Sequence, residues 1–233
     1  MSLIAFFGAL ESGLIYGLVA LGVLISFRTL DFPDLTADGS FPLGGAVAGI
    51  SIIAGVNPWL ACAFGMLAGS MAGIVTAWLH VKLGILQLLA SILVMVALYS
   101  INLRIMGAPN LPLLGETTVF STLVHDGNGY WMRCLIIGIV VLLAMLFLNW
   151  FYSTETGLSM RATGSNLRMA QAQGINTSWM TIIGMAISNG LIALAGALFV
   201  QTQGGADISI GIGTIVIGLA AVIIGETIIP AKR

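Results

Sequence analysis

Long apolar runs almost free of charge constrain this chain more than any other feature. Residues 3–27, "LIAFFGALESGLIYGLVALGVLISF", carry one charged side chain, Glu11, in a stretch longer than the roughly 20 residues that cross a bilayer as a helix. Comparable runs recur along the rest of the chain. Charged residues make up 7% of the 233, far below the roughly 25% of soluble domains, and the mean hydropathy is +1.07. Lipid offers the backbone no hydrogen-bond partners, so each segment must satisfy its own amides. Strand-like alternation is absent, which excludes a β-barrel and leaves a polytopic, all-α membrane protein.

Apolar runs between polar breaks predict spans at about 3–27, 44–56, 59–80, 84–104, 132–152, 180–200 and 211–229. That makes about seven membrane segments in a single transmembrane domain, residues 1–233. The second is too short for a full crossing and follows "DFPDLTADGSFP", which holds Pro33, Gly39 and Pro42. It is the expected broken or re-entrant helix, a form tolerated where backbone lines a cavity. The N-terminus lacks a basic n-region and its apolar run is too long for a cleaved signal, so the first span is expected to stay.

An external N-terminus would put Arg28, Lys82, Arg161, Arg168, Lys232 and Arg233 on the cytoplasmic side and leave Arg104 and Arg133 outside. The positive-inside rule favours that orientation. All five tryptophans, at 59, 78, 131, 150 and 179, fall at predicted span ends, where indoles prefer the interface. The loop at about 105–131 is then external and that at about 153–179 cytoplasmic.

Several functions are excluded or disfavoured. Net charge is −1 with dispersed basic residues, no footprint for nucleic acid. Cys62 and Cys134 stand alone, as buried structural thiols rather than metal ligands or a disulfide pair. No Gly-Lys-Ser/Thr occurs, and "QGGADISIGIG" lacks the strand and helix setting of a nucleotide loop, so no cofactor is expected. Glycines spaced by four, Gly65/Gly69/Gly73, Gly13/Gly17 and Gly45/Gly49, read as close helix contacts.

Polar groups inside spans are costly and need partners or water. Glu11, Gln87, Ser91, Tyr99, Asn102, Ser188 and Asn189 are the candidates. Glu11 needs a hydrated cavity or a counter-charge. Asp31, Asp34 and Asp38, with Thr36 and Ser40, either face a pathway and hold re-entrant backbone, or form a solvated turn. Glu11, Asp31, Asp38, Gln87 and Asn189 are carried forward as candidate pathway residues.

The polar stretch "GLSMRATGSNLRMAQAQGINTSW", 157–179, stands out in so apolar a chain. Ser165 is a suitable N-cap, "NLRMAQAQ" favours helix, and Gly174 stands where a left-handed residue would end it. The prediction is a helix of about two turns with Leu167, Ala170 and Gly174 along one stripe and Arg161 and Arg168 free for acceptors. So short a helix is marginal alone. It must pack on its own membrane domain or in a groove of another protein.

This stretch, continuing through "MTIIGMAISNGLIALAGALFVQTQGGADISIGIG", resembles permeases of ATP-binding-cassette importers of the branched-chain amino-acid and ribose type. The shared pattern is an arginine-containing segment, here Arg161, a short helix ending near Gly174-Ile175, and a Gly/Ala-rich span with Gly196-Ala197. "ALESGLIYGLVALGVLISFRTLDFPDLTADGSFPLGGAVAG" also looks like the first span and broken helix of that family. The resemblance implies a non-enzymatic permease subunit in a prokaryotic cell (inner) membrane. It further implies a cytoplasmic ABC ATPase, a second permease copy in a homodimer, an extracytoplasmic substrate-binding protein, and surrounding lipid. The coupling helix would lie at Ser165 to Gly174, with Arg161, Ser165, Asn166, Leu167, Arg168, Ala170, Gln171 and Gly174 at the ATPase contact. Relatives usually continue through a further span, whereas this sequence stops at "IIPAKR". The wording of "LDFPDLTADGSFPLGGA" is similar to amino-acid importers, including aromatic ones, with sugars and nucleosides as alternatives. An ion-coupled secondary transporter using Glu11 or an aspartate leaves the capped helix unexplained. An intramembrane transferase with "DLTADG" as half of a Mg²⁺ site wants a second acidic cluster, and Glu116, Asp126, Glu155, Asp207 and Glu226 are scattered.

Overall fold

A computed structural model describes residues 3–121 and 129–228. Lys232, Arg233 and Asp126 lie outside the described residues. Helix α1 (Leu3–Val23) runs into a π-turn, Leu24–Thr29, then a short extended link to α2 (Ala37–Ile53). Helices α3 (Pro58–Leu83) and α4 (Gln87–Met106) follow, then a strand, β1 (Asn110–Pro112). Helix α5 (Gly129–Ser153) precedes two short helices, α6 (Glu155–Ser165) and α7 (Leu167–Ala172). Helix α8 (Thr177–Gln203) leads through β2 (Gly205–Asp207) and a 3-10 turn, Ile208–Gly211, to α9 (Thr214–Ile228). Among the described residues, six segments are long and apolar enough to span a membrane, with α2 a shorter seventh.

Helix α8 is the hub, with α1, α2 and α3 packed around it. Small residues permit the approach, because lipid removes the hydrophobic drive and close packing must replace it. A Cβ on Gly69 or Gly73 would collide with the backbone of Asn189 or Met185, so the predicted contact face of α3 is real. Gly45 and Gly49 likewise meet Val200 and Leu111. At Gly13 and Gly17 no described residue of this chain lies within 4 Å of a Cβ. Helix α1 instead buries Ile15, Leu18, Val19 and Val23.

The second segment differs from its predicted 44–56, beginning at Ala37 and containing Pro42. Seventeen residues span about 26 Å at 1.5 Å each, short of a hydrocarbon core of about 30 Å. Its start is held deep in the bundle by a polar knot. Asn189 on α8 donates to Asp34 Oδ2 at 2.7 Å and accepts from Ser40 Oγ at 2.7 Å. Asp34 Oδ1 accepts from the Thr36 amide at 2.9 Å, and Thr36 Oγ1 meets Thr76 Oγ1 at 2.9 Å. All of these side chains are buried.

The other corrections are local. Strands β1 and β2 pair antiparallel, Leu111 opposite Ala206, where no strand was read. The two cysteines are buried and free, as expected, and Gln201 Nε2 donates to Cys62 Sγ at 3.0 Å. All five tryptophans are exposed.

Asn189→Leu should cost roughly 1–3 kcal/mol, the scale of leaving a buried polar group unsatisfied, because Asp34 Oδ2 loses its donor and Ser40 Oγ its acceptor. Thermal unfolding in detergent measures it. Asp34→Leu combined with Asn189→Leu should cost less than the sum of the single changes.

Candidate functional site

Two regions have the shape and polarity of functional sites, one in the interior and one on the face made by α6 and α7. The interior one forms where two short helices begin. Helix α2 starts beside Asn189, and α9 starts against α2. Asp38 joins them, its Oδ1 accepting from Ile215 N at 2.9 Å and its Oδ2 from Gly213 N at 3.2 Å. The carboxylate thereby satisfies amides that a helix leaves orphaned at its N-terminus. Pro42 has no N–H for the Asp38 carbonyl, and the 3-10 turn packs there so closely that a Cβ on Gly211 would collide with that oxygen and the Pro42 ring.

Beside this junction is a cavity of about 300 Å³ lined by Asp38, Gly39, Pro42, Met95, Val96, Tyr99, Asn102, Ile208 and Ile212. Asn102 is completely buried, and its Nδ2 donates to the Gly39 carbonyl at 3.2 Å. Its Oδ1 is buried with no hydrogen-bond partner. Of the predicted pathway residues only Asp38 reaches this cavity. Asn189 is saturated within the polar knot. Gln87 is half-buried at the start of α4. Glu11 is half-buried on α1, with Oε1 buried and without a hydrogen-bond partner, and Arg133 on α5 is near enough for its charge to act on it. The paired aspartates of "DLTADG" turn to different partners, Asp34 to α8 and Asp38 to α9, rather than to one cation. Asn102 was among the buried polar candidates, but its unmet acceptor is a tertiary feature.

The second region holds the polar stretch, folded as two helices rather than one. Ser165 ends α6, its Oγ donating to the Ala162 carbonyl at 3.0 Å, and so corrects the predicted N-cap. That cap is Asn166, whose extended backbone breaks the chain and whose Oδ1 accepts from Met169 N at 3.1 Å. The amide side chain reaches the N3 amide as well as a serine would. Gly174 is left-handed as predicted, at φ 81°. Ala170 is buried, and Gln171 Nε2 donates to Thr177 Oγ1 at 3.1 Å, tying α7 to α8. Leu167, Arg168 and Met169 are exposed, so the stripe has one buried member.

Helix α6 is anchored to the first span. A Cβ on Gly164 would collide with the Thr29 carbonyl, and Thr29 Oγ1 meets the Tyr152 hydroxyl at 2.9 Å. Between them an open basin of about 710 Å³ is lined by Arg28, Thr29, Asp31, Arg161 and Ser165, among others. Arg28 pairs with Glu226 of α9 at 2.6 Å. Asp31 is exposed in the basin and left-handed, φ 53°, an uncommon conformation for a residue with a side chain. The π-turn therefore connects α6 directly to the link carrying Asp34, which leads to Asp38 in the first turn of α2.

Residues 5–231 match the family described as the permease component of the branched-chain amino acid transport system. The chain belongs to this permease family. It is a permease subunit and not an enzyme. The permease is 41% identical over 219 residues to the tyrosine transport system permease protein of Clostridioides difficile, covering 94% of this chain and 72% of that one. It is 36% identical to protein RP368 of Rickettsia prowazekii, over 94% of this chain and 76% of that one. It is 26% identical to the autoinducer 2 import system permease protein LsrC of Escherichia coli, over 89% and 59%. No solved structure matches the permease.

Gly164→Ala and Gly211→Ala should each impair transport, the first by prising α6 from the π-turn and the second by displacing the turn from Asp38. Uptake at native levels in both variants would contradict these packing roles. Asp207, at the start of the 3-10 turn, accepts from Ser209 N at 2.7 Å and Ser209 Oγ at 2.6 Å, which hold its carboxyl below the usual range. Its folded pKa is depressed, so the cap is fully formed above the unfolded value and is lost as pH falls through the folded one. Hydrogen exchange at 205–211 should quicken there, and Ser209→Ala should move that onset to higher pH.

Proposed function

We propose that this permease forms the membrane path for an amino acid in an ATP-driven importer of a prokaryotic inner membrane. The observation that carries the substrate class is the 41% identity to a tyrosine permease along 94% of the chain. The cavity at the α2–α9 junction supports it, with apolar walls beside Asp38 in a volume at the lower end of small-ligand sites. The LsrC likeness, at 26% identity, favours a different solute less strongly.

In this reading the path lies between two copies of the chain, with an extracytoplasmic binding protein on the side of the β1–β2 pairing. A cytoplasmic ATPase seats on α7, with the N-terminus of the chain outside. Exposed Leu167, Arg168 and Met169 supply the contact, and Arg161 lines the basin behind it. Asn166 caps the helix, Ala170 and Gln171 fasten it, and Gly174 ends it. An ATPase that moves α7 would carry α6, the π-turn and the link to Asp38 with it, because these are in direct contact. Such a two-state shift needs only differential binding of the ATPase to the two arrangements.

Reconstituted with its ATPase and binding protein, the permease should take up labelled L-tyrosine only when ATP is supplied. Uptake of a sugar or nucleoside in place of amino acids would overturn the substrate class, and gradient-driven uptake without ATP would overturn the mechanism. Arg168→Glu should reduce recovery of the ATPase on the permease without reducing membrane insertion. Arg161→Glu should do the same.

A further inference from the structure

The basin between the π-turn and α6 carries opposite charges that do not meet. Arg161 on α6 and Asp31 on the link both line it and both are exposed, and neither makes an ion pair or a hydrogen bond with another described residue. The remaining charged group of the lining, Arg28, is tied to Glu226 through Nε, which offsets its charge and leaves its terminal nitrogens free. Charge in the basin is therefore balanced. A net anion would meet Asp31 and a net cation would meet Arg161, so the lining suits a molecule that carries both signs at once.

The polar groups divide the work. Asp31 holds a left-handed backbone, φ 53°, a conformation that is costly for a residue with a side chain and recurs at ligand clamps. The hydroxyls of the lining are already committed, Ser165 donating to the Ala162 carbonyl and Thr29 Oγ1 meeting the Tyr152 hydroxyl. Recognition falls to the two guanidiniums and the carboxylate. The apolar members of the lining then narrow the ligand. Phe27 belongs to the end of the first span, and Leu158 is 54% exposed on α6, a helix outside the spans. Exposed Trp150, near the end of α5, marks the membrane surface at this level. An apolar side chain open beside that surface is covered best by the bilayer itself. A zwitterion that also covers Phe27 and Leu158 is an amphiphile. Its phosphate suits the guanidinium forks. Its cationic end should carry N–H groups, because Asp31 accepts hydrogen bonds and the lining holds a single aromatic ring, Phe27, where a quaternary ammonium takes a cage of them.

We infer that this basin binds the headgroup of a phospholipid with a primary ammonium, its phosphate on Arg161 and Arg28 and its ammonium on Asp31. In the orientation given above, this is a lipid of the inner leaflet. It bridges α6 to the link that leads into α2, beside the close contact of Gly164 with Thr29. Lipid occupancy therefore sets how firmly those two elements are joined.

The test titrates the purified permease in detergent micelles with phosphatidylethanolamine, phosphatidylcholine and phosphatidylglycerol, and reads retained lipid by native mass spectrometry. Phosphatidylethanolamine should be retained at least roughly tenfold more strongly than phosphatidylcholine, which keeps both charges and lacks the N–H donors, the scale of a lost hydrogen bond to a charged group. It should exceed phosphatidylglycerol, which lacks the cation, by a similar factor. Asp31→Asn suits the left-handed backbone and removes the charge, and it should bring phosphatidylethanolamine and phosphatidylcholine to equal retention. Arg161→Gln should weaken both alike. Equal retention of these two lipids by the native chain would overturn the site, as would an ethanolamine preference that survives Asp31→Asn or a stronger retention of phosphatidylglycerol. Displacement of the lipid by O-phosphoethanolamine or free L-tyrosine at equal concentration would overturn the lipid as occupant in favour of a soluble zwitterion. None of these measurements depends on tyrosine uptake, so the lipid site and the transport reading can each fail alone.

Discussion

Asn189 ties the interior of this permease together from the middle of its most enclosed helix. An amide can donate and accept at once, and this one donates to Asp34 and accepts from Ser40, on either side of the start of α2. A helix that begins inside a membrane leaves N–H groups without partners, and hydrocarbon cannot supply them. The Asp34–Asn189–Ser40 knot, with Thr36 and Thr76, makes such a beginning possible. It fixes the start of α2 against α8 and so positions the junction with α9.

The same problem recurs at α9 with a different solution. There the partner is Asp38, projected from α2, so each short helix relies on a side chain from elsewhere in the bundle. Two consequences follow from one geometry. The beginnings of α2 and α9 are brought together beside a cavity, and their positions become coupled through a single carboxylate. On the opposite side of the link, the π-turn meets α6 at Gly164 and α5 at Tyr152, and Arg28 reaches Glu226 near the end of α9. Contacts therefore run from α6 to Asp38 by two routes, through the link and along α9.

Much of this was legible in the residues. Apolar runs located the long spans because a bilayer-crossing helix needs little beyond length and hydropathy. Pro33 and Pro42 marked the irregular segment, although the helix starts earlier than the prolines suggested, since Ala37 to Phe41 precede Pro42 with their amides available. The Gly65/Gly69/Gly73 face is packed within the chain and the Gly13/Gly17 face is open in it, because spacing says that a helix can be approached and not which helix does so. Asn166 displaced Ser165 as the cap for a comparable reason. Both side chains suit the position, and the fold of α6 decided which backbone remained extended.

Composition and periodicity alone settle that the chain is helical and crosses a membrane, because burying a backbone in lipid admits few solutions and this one is written in hydropathy. They also mark a short polar helix and a broken one, through caps and prolines that act over a few neighbouring residues. The pairing of Asp34 with Asn189, of Asp38 with the start of α9, and of the Asn102 amide with Gly39 joins residues 155, 175 and 63 positions apart. No local rule relates such positions. Only the packed helices bring these groups together, and they leave Asn102 Oδ1 buried without a donor.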